Sequence, residues 1–489
     1  MLVGRGKRRR VASVALLVLV GGLALAASVY AGSVVATPIS SDPYTNQSSQ
    51  HRTQLEPDSF GWGNTVVATF QTGRFFDGGS SNIGWATTTN AGRTWTTGML
   101  PATTIFASPA GPWSRISDPA VAYDPLHEVW MISTLAIDAS VSGAAVLTSR
   151  STDGGITWSN PVTTSESTGT FYDKNWITCD TWVQSPHYGN CYQEWDDSRM
   201  TMSVSTDGGL TWGTPKFPGG SGVGGQPVVQ PNGNVIVPYE GGAGIRSFRS
   251  IDGGATWQTS VPVASVSEHG VAGNLRTSPL PSAEVAGDGT VYVAWQDCRF
   301  RSGCSSNDIV YSTSTDGLVW SSQSSPPTRV PIDPTTSTVD HFIPGFAVDR
   351  STSESTTRLA LGYYYYPVAN CGGSCALRVG FVSSTDGGAS WTQPRPVAGP
   401  ISVAWIASTN QGVMVGDYMS TSFAGGNFAF PIFAVAKAKT GATFDERAYS
   451  ARFDVTIPSS ASLVRARKDP IRYSKHNFVP DLELPPVTK

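Results

Sequence analysis

Short runs of apolar and β-branched residues, separated by turn residues, recur along the chain from about residue 54. The run 65–70 (Thr-Val-Val-Ala-Thr-Phe) is followed by 82–85 (Asn-Ile-Gly-Trp), and similar runs follow throughout. Short runs of this kind, bounded by Gly, Asn, Asp or Ser, are typical of β-strands. Helical periodicity is nearly absent beyond the N-terminus. The pattern therefore predicts an all-β protein.

One eight-residue pattern, Ser/Thr-x-Asp-x-Gly-x-Thr-Trp, recurs along the chain. Each copy follows the third of a group of strand-like runs. The pattern occurs at 88–95, 151–158, 205–212, 250–257, 314–320 and 384–391. Asn90 takes the Asp position in the first copy, Ser390 takes the Thr position in the last, and the copy at 314–320 is one residue short. Its Asp can accept hydrogen bonds from the N–H groups that follow, and its Gly can adopt a positive φ. Such a repeat predicts one supersecondary unit repeated six times. We therefore assign these Asp residues to turns and not to catalysis.

Each repeat has room for about four strands, which is the composition of a β-propeller blade. Circular closure of such blades leaves only short sheet edges exposed. Three further strand-like runs follow the last Asp turn, at 413–418, 428–435 and 447–453. They predict a C-terminal partial blade that a segment near the N-terminus could complete. Seven blades are preferred, and six are the alternative.

The first 36 residues predict an export segment. Five cationic residues between Arg5 and Arg10 precede an apolar run at 11–31. This is the pattern of a signal peptide or, because the run is long, of an uncleaved N-terminal anchor. Residues 37–53 predict a linker, 54–456 the propeller and 457–489 a poorly ordered tail. The body is expected outside the cell, either secreted or membrane-anchored and facing outward.

The cysteines and the charge support this location. The six cysteines form three local pairs, which an exported chain is expected to oxidise: Cys179–Cys191, Cys298–Cys304 and Cys371–Cys375. Their spacing does not suit zinc, and we expect no metal and no cofactor. Without the five N-terminal positive charges the formal net charge falls from −3 to −8. An acidic body argues against nucleic acid as a partner, and we expect a monomer.

The Asp turns are similar to the repeats of the sialidase superfamily, also called BNR or Asp-box proteins. The resemblance covers residues 88–391 and implies a sialidase-like β-propeller. In that family the Asp turn joins strands three and four on the face opposite the active site. The resemblance therefore implies a site at the other ends of the blades. Family members include hydrolases, binding propellers and receptors, so it is less specific for activity.

Sialidases of this family hold a sugar carboxylate with three arginines and use a Tyr nucleophile, an activating Glu and an Asp acid/base. On this chain the resemblance implies catalytic Tyr418, Glu284 (or Glu240) and Asp118. Substrate binding would involve Arg115, Arg276, Arg299, Asp173 and Lys174. The chain departs from the family at the first arginine, because Arg115-Ile-Ser-Asp-Pro119 lies in the second repeat and interrupts the family's Arg-Ile-Pro motif.

Three hypotheses of function follow. The first is an extracellular exo-α-sialidase-type glycoside hydrolase that acts on terminal sugars of glycans. The second is a non-catalytic propeller that binds glycans, protein or another polar ligand at the cell surface. The third is a different glycosidase built on a carboxylate pair such as Asp118 and Asp173. Convergence of Arg115, Arg276 and Arg299 on one pocket would favour the first.

Overall fold

The structure, a computed structural model, describes Met1, residues 35–242 and 244–456, and the backbone of Val464 and Arg465. Most of the predicted export segment and most of the predicted tail lie outside these residues. The described chain is nearly all-β. It contains one four-residue α-helix and four 3₁₀ turns: Ser321–Ser324, then Ser302–Cys304, Glu354–Thr356, Gly372–Ser374 and Val403–Trp405. None of these helices is long and apolar enough to cross a membrane.

A short strand, β1 (Thr37–Pro38), precedes six groups of strands, each with one Asp turn. The first group is β2–β5 (Gln50–Trp62, Thr65–Arg74, Ser80–Thr88, Thr96–Met99) and the second is β6–β9 (Arg115–Asp124, Val129–Ile137, Gly143–Ser151, Val162–Glu166). The third is β10–β12 (Asp173–Cys179, Cys191–Asp196, Met200–Ser205) and the fourth is β13–β16 (Val228–Val229, Val235–Gly241, Gly244–Ser250, Val261–Ser265). The fifth is β17–β20 (Ser282–Val285, Val291–Asp297, Asp308–Ser314, Thr328–Arg329) and the sixth is β21–β25 (Asp340–Val348, Leu359–Tyr366, Ala376–Ser384, Ser390–Trp391, Arg395–Ser402). The remaining strands are β26 (Ala407–Thr409), β27 (Gly412–Met414), β28 (Ser420–Ala424), β29 (Phe428–Thr440), β30 (Thr443–Ser450), β31 (Phe453–Asp454) and β32 (Val464–Arg465).

Within each group the strands pair antiparallel in chain order. In the third group the fourth strand is reduced to a bridge between Met202 and Lys216. In the sixth group β25 is the fourth strand, and the short β24 pairs with β32 instead. This succession of four-stranded antiparallel sheets is the one expected of propeller blades.

The chain after the last Asp turn differs in detail from the expected strands. Strands β28, β29 and β30 form a further antiparallel sheet, to which β1 is added beside β30. The predicted linker 37–53 is therefore part of the sheets, since it contains β1 and the start of β2. Val413 belongs to the hairpin of β26 and β27, so the first strand of this last sheet is β28 and not 413–418.

The first strands of the sheets lie side by side in chain order. Strand β2 contacts β6, and the succession continues through β10, β13, β17 and β21 to β28, which also contacts β2. Each first strand thus has two first-strand neighbours. Apolar side chains of adjacent sheets fill the space between them, as Tyr292, Phe346 and Trp391 do between the fifth and sixth groups.

The two ends of the sheets have different chemistry. Because the strands alternate in direction, the Asp turn after the third strand lies at the end opposite the start of the first strand. We call the end with the Asp turns the Asp-turn face and the other end the opposite face. In the third group Cys179, Cys191 and Ser205 align at the Asp-turn face, whereas Asp173 aligns with Asp196 at the opposite face.

The Asp turns are held by hydrogen bonds to the Asp side chain, as predicted. Asp153 Oδ1 accepts the N–H groups of Ile156 at 3.0 Å and Thr157 at 2.9 Å, and Asp153 Oδ2 accepts the Thr157 hydroxyl at 2.6 Å. Gly155 has a φ of 80°, which glycine adopts without steric cost. Burial opposes ionisation of Asp153, but the hydrogen bonds from Thr157 outweigh it and lower its pKa to about 2.

The three predicted disulfides are present. Cys179 is bonded to Cys191, Cys298 to Cys304 and Cys371 to Cys375. The first joins the ends of β10 and β11 at the Asp-turn face. All six cysteines are thus paired, and each bond closes a short local loop.

Candidate active site on the propeller axis

A β-bulge recurs in the first strand of three successive sheets. It places Glu56 of β2, Asp118 of β6 and Lys174 of β10 at φ values of 54°, 46° and 45°. A positive φ costs a non-glycine residue roughly 1–3 kcal/mol and is common at functional sites. Glu56 and Asp118 each precede a proline, a residue that sheets tolerate at bulges. The same local geometry thus turns three charged side chains toward one place.

Lys174 lies at the centre of these charges. Its Nζ is 3.6 Å from Glu56 Oε1 and 3.8 Å from Asp118 Oδ1, and it forms an ion pair with Asp417. Asp417 comes from the segment before β28, at the other end of the chain. Arg276 Nη2 binds the same Asp417 oxygen at 2.6 Å. We call Glu56, Asp118, Lys174, Arg276 and Asp417 the axial cluster.

The carboxyl groups of the axial cluster differ in acidity. Burial raises the pKa of Glu56 to about 7 and that of Asp118 to about 6, although the charge of Lys174 acts in the opposite direction. Burial also opposes the ionisation of Asp417, but Arg276 and Lys174 outweigh it and lower its pKa. Near neutral pH, Asp417 is therefore ionised while Glu56 and Asp118 can exchange protons. Such a separation is a feature of acid/base pairs.

Tyr418 stands next to the cluster. Its hydroxyl donates to the carbonyl oxygen of Pro119 at 3.1 Å, and its ring meets Trp176 edge-on with centroids 5.1 Å apart. Lys174 Nζ lies 6.0 Å from the Tyr418 ring centroid. Burial, reinforced by the charge of Glu56, raises the pKa of Tyr418 well above its usual value. The phenol is therefore neutral at physiological pH.

A cavity extends along the axis from Lys174, Asp417 and Tyr418. Residues of all seven first strands or their immediate flanks line it, and its volume is about 1080 Å³ with the space open to solvent included. Farther along the axis, Arg350 lies over the Phe60 ring at 4.9 Å and donates to Thr181 Oγ1 at 2.5 Å. Burial raises the pKa of Glu284 to about 7, opposed by the charge of Arg350.

Some of the predicted site residues lie in or beside the axial cluster and its cavity, and others lie elsewhere. Asp118, Lys174, Arg276 and Tyr418 come together around Asp417. Asp173 is adjacent, and its Oδ1 accepts the Lys174 N–H at 3.0 Å. Glu284 is in the axial cavity, and Glu240 is buried in the fourth group with its pKa raised by burial to about 7.

The three predicted arginines bind three different carboxylates. Arg115 pairs with Asp77 at 2.5 Å and covers the Phe75 ring at 4.2 Å. Arg299 pairs with Asp297 at 2.7 Å, and Arg276 pairs with Asp417. The structure therefore does not show these three guanidinium groups aligned on one shared partner.

Sequence reasoning missed Glu56, and it placed Asp417 and Arg74 on the implied functional face without giving either a catalytic or binding role. Gln71 connects two of them, because its amide donates to Glu56 and its Oε1 accepts Arg74 Nη1 at 3.0 Å. Burial and the nearby charge of Arg276 lower the pKa of Arg74. One signal could have identified Glu56: it precedes a proline in the first strand, as Asp118 does in the next sheet.

One group of metal-ligating side chains occurs in the described residues, formed by Asp308, Asp333 and His341. Arg301 Nη2 binds Asp308 at 2.5 Å and Asp333 at 2.6 Å, and Arg329 binds the same two carboxylates at 2.7 and 2.9 Å. Two guanidinium groups already balance both acids. This group does not fit a cation.

No family model and no curated protein match this chain. Among solved structures it is similar to a protein of unknown function from Dyadobacter fermentans, at 15% identity, TM-score 0.46, covering 72% of this chain and 99% of that one. It is similar to a Hadza microbial sialidase, at 14% identity and a TM-score of 0.44, covering 83% of this chain and 66% of that one. It is also similar to an α-L-arabinanase of Penicillium chrysogenum, at 13% identity and a TM-score of 0.44, covering 87% of this chain and 99% of that one. With all three TM-scores below 0.5, the fold assignment depends on the strand order described above.

Proposed function

We propose that this protein is an extracellular glycoside hydrolase whose acid/base groups belong to the axial cluster. The observation that carries the proposal is the contact of Lys174 with three buried carboxyl groups whose pKa values differ. Glycosidases use one protonated carboxylic acid to donate to the leaving oxygen and one carboxylate to stabilise the oxocarbenium-like transition state. Asp118 is assigned the first role and Asp417 the second.

The ion pairs of Lys174 and of the three predicted arginines favour a neutral sugar as substrate. Lys174 and Arg276 are both bound to Asp417, and Arg115 and Arg299 are bound to Asp77 and Asp297. A sugar carboxylate would have to replace these partners, and each replacement would leave a carboxylate with less compensation. Trp176 and Tyr418 offer apolar ring surface beside the cluster, on which a sugar ring can pack.

A sialidase-type reaction is the second candidate. It is supported by Arg74 and Arg276, which are close enough for the charge of Arg276 to lower the pKa of Arg74, and by Tyr418 beside the cluster. In this mechanism Tyr418 is the nucleophile, Glu284 its activator and Asp118 the acid/base. A non-catalytic glycan-binding propeller is the remaining alternative.

Hydrolysis of a panel of fluorogenic glycosides between pH 4 and 8 tests the proposal. The panel holds neutral α- and β-glycosides and one sialoside. We expect release from a neutral glycoside, a decrease of about 10²–10⁴-fold in Asp118→Asn, and unchanged hydrolysis in Glu166→Gln, an exposed carboxylate outside the site.

The other outcomes distinguish the candidates. Cleavage of the sialoside alone, abolished in Tyr418→Phe, would establish the sialidase-type mechanism instead. Binding on a glycan array without hydrolysis of any substrate would show a binding protein. For the neutral-sugar mechanism we expect Tyr418→Phe to retain activity within about tenfold, because only a hydrogen bond to Pro119 is lost.

We also infer that the propeller has seven blades and acts as an extracellular monomer. Support for the blade number comes from β28, which contacts both β21 and β2, and from β1, which adds a fourth strand to the last sheet. The three disulfides support an oxidising location. An experimental density map and light scattering of the purified chain test these two inferences.

A further inference from the structure

Arg350 differs from the cations of the axial cluster. Lys174 and Arg276 both bind the Asp417 carboxylate. Arg350 forms no ion pair with any residue that the structure describes, and its one hydrogen bond there runs from Nη1 to Thr181 Oγ1 at 2.5 Å. Because a guanidinium carries several N–H donors, most of those of Arg350 have no protein partner in that part of the chain. Arg350 lines the axial cavity, so a ligand in the cavity can reach them.

Two aromatic rings hold the guanidinium of Arg350 in place. Its Cζ lies 4.9 Å from the Phe60 ring centroid and 5.9 Å from that of Trp182. Arg350 and Trp182 come shortly after the first strands β21 and β10, which end at the Asp-turn face. Phe60 is four residues beyond Glu56 in β2, a distance on the order of 10 Å along a strand. The guanidinium therefore lies at the Asp-turn end of the cavity, away from the axial cluster.

Two carboxyl groups act on Arg350 through their charge, and neither is an ion-pair partner. Glu284 also lines the cavity, but burial raises its pKa to about 7, so near neutral pH it is only partly ionised. Asp349 is bound by Arg358 Nη2 at 2.5 Å. Burial lowers the pKa of Arg350, although the charges of Glu284 and Asp349 act in the opposite direction. These groups therefore compensate the charge of Arg350 only in part.

The chemistry around Arg350 suits a ligand with one negative charge. A cation that is partly removed from water is costly unless an anion compensates it. The planar guanidinium can bind both oxygens of a carboxylate through parallel N–H donors. The carboxyl groups of Glu284 and Asp58, which also line the cavity, would repel a group of higher charge. A carboxylate therefore fits better than a phosphate or a sulfate.

We propose that the Asp-turn end of the axial cavity binds a carboxylate through Arg350. The carboxylate belongs either to a small free anion or to a sugar acid. It lies beyond the part of the cavity formed by Lys174 and Asp417, so it does not compete with a neutral sugar at the axial cluster. The site stands whether or not the protein hydrolyses glycosides.

Urea unfolding of the full chain at pH 7, with increasing sodium formate, tests this site. Three proteins are compared: the wild type, Arg350→Met and the control Arg452→Met. Arg452 is exposed, and its Cζ lies 3.5 Å from the Phe428 ring centroid. The control therefore also removes an arginine from a phenylalanine ring, but away from the cavity. Arg350→Lys, which keeps the charge but not the planar fork, replaces Arg350→Met if that variant does not fold.

We expect formate to raise the urea midpoint of the wild type and the control, because a ligand that binds only the folded chain stabilises it. The rise in Arg350→Met should be at least about fivefold smaller, and Arg350→Lys should also show a smaller rise than the wild type. Glu284→Gln should respond at lower formate concentrations than the wild type, because it removes a competing negative charge. An equal rise in the wild type and the Arg350 variant would be a general salt effect and would overturn the proposal. Absence of a rise in both the wild type and Glu284→Gln would overturn it as well.

The same measurement with sodium glucuronate and with glucose identifies the source of the carboxylate. A rise with glucuronate that requires Arg350 and is absent with glucose would assign the site to a sugar acid. A rise with formate alone would assign it to a small free anion, and either result supports the site. Equal effects of glucose and glucuronate without any effect of formate would show that a sugar ring is bound and not its carboxylate, which contradicts the proposal.

Discussion

Acidic side chains occur at both faces of this molecule, and their surroundings give them opposite properties. In the Asp turn at 151–158 the carboxylate is exposed and accepts backbone N–H groups, which keep Asp153 ionised with a pKa of about 2. In the axial cluster Asp118 is 4% exposed, and burial raises its pKa to about 6 despite Lys174 at 3.8 Å.

The difference shows which acids can do chemistry. An acid that its own turn holds ionised is a poor proton donor at neutral pH, because its hydrogen bonds favour the charged form. A buried acid near its pKa at neutral pH can donate and recover a proton. Repetition in the sequence therefore points to structural aspartates, whereas the acids suited to catalysis are single and lie where sheets meet.

The largest expected effect comes from removal of the shared cation. Lys174→Met keeps most of the side-chain volume but leaves Glu56, Asp118 and Asp417 with one positive charge fewer. We expect the free energy of unfolding at pH 7 to fall by about 3–5 kcal/mol. The loss should be smaller at pH 5, because Glu56 and Asp118 are then protonated. Urea unfolding at both pH values measures this.

Lys437→Met is the matched control, since Lys437 is exposed on β29. Its effect should remain within about 0.5 kcal/mol, as for most surface substitutions. A loss in Lys174→Met that does not depend on pH would contradict the view that ionised axial carboxyls cause it.

A smaller effect is expected in the pH dependence of stability. The folded-state pKa of Asp118, about 6, is above its unfolded value, so the folded state binds the extra proton. Its contribution is complete below about pH 4 and is lost as pH rises through 6. Asp118→Asn should therefore make the decrease in unfolding free energy from pH 4 to 7 shallower by at least about 1 kcal/mol.

Urea unfolding at pH 4, 5, 6 and 7 provides this slope. Glu166→Gln, an exposed carboxylate, serves as the control and should follow the wild type. An unchanged slope in Asp118→Asn would mean that Asp118 is ionised throughout this range, and the assignment of Asp118 as proton donor would then fail.

The sequence predicts the Asp turns and the disulfides because they are local. Asp153 needs only residues 151–158 to form its bonds, and Cys298 needs a partner six residues away. The axial cluster is not local. Lys174 and Asp417 are 243 residues apart, and the bulge that turns Glu56 inward has no clear signature beyond the following proline. Glu56 could thus be interpreted from sequence as a strand cap.

The predicted arginine clamp failed for the same reason, because most of its contacts join residues that are distant in the sequence. Residue type and order suggested a clamp of Arg115, Arg276 and Arg299, but the partner of each depends on the path of the chain. Arg299 could have been assigned from sequence, since Asp297 is two residues away. The partners of Arg115 and Arg276 are 38 and 141 residues distant, and only the arrangement of the sheets brings them into contact.

The smallest predicted effect concerns the Asp turns. The first turn provides a natural comparison, because it carries Asn in place of Asp. Asn90 replaces Asp in the first turn, and its Oδ1 accepts the Arg93 and Thr94 N–H groups at 3.1 and 3.0 Å. Asp153→Asn should therefore lower the free energy of unfolding by less than about 1 kcal/mol, whereas Asp153→Ala, which removes the acceptor, should lower it by about 1–2 kcal/mol.

The depressed pKa of Asp153 gives stability that is present above about pH 4 and lost as pH falls through 2. Asp153→Asn should lack this acid-dependent loss. If the Asn variant is as unstable as the Ala variant in urea at pH 7, the carboxylate charge, and not the acceptor geometry, holds the turn.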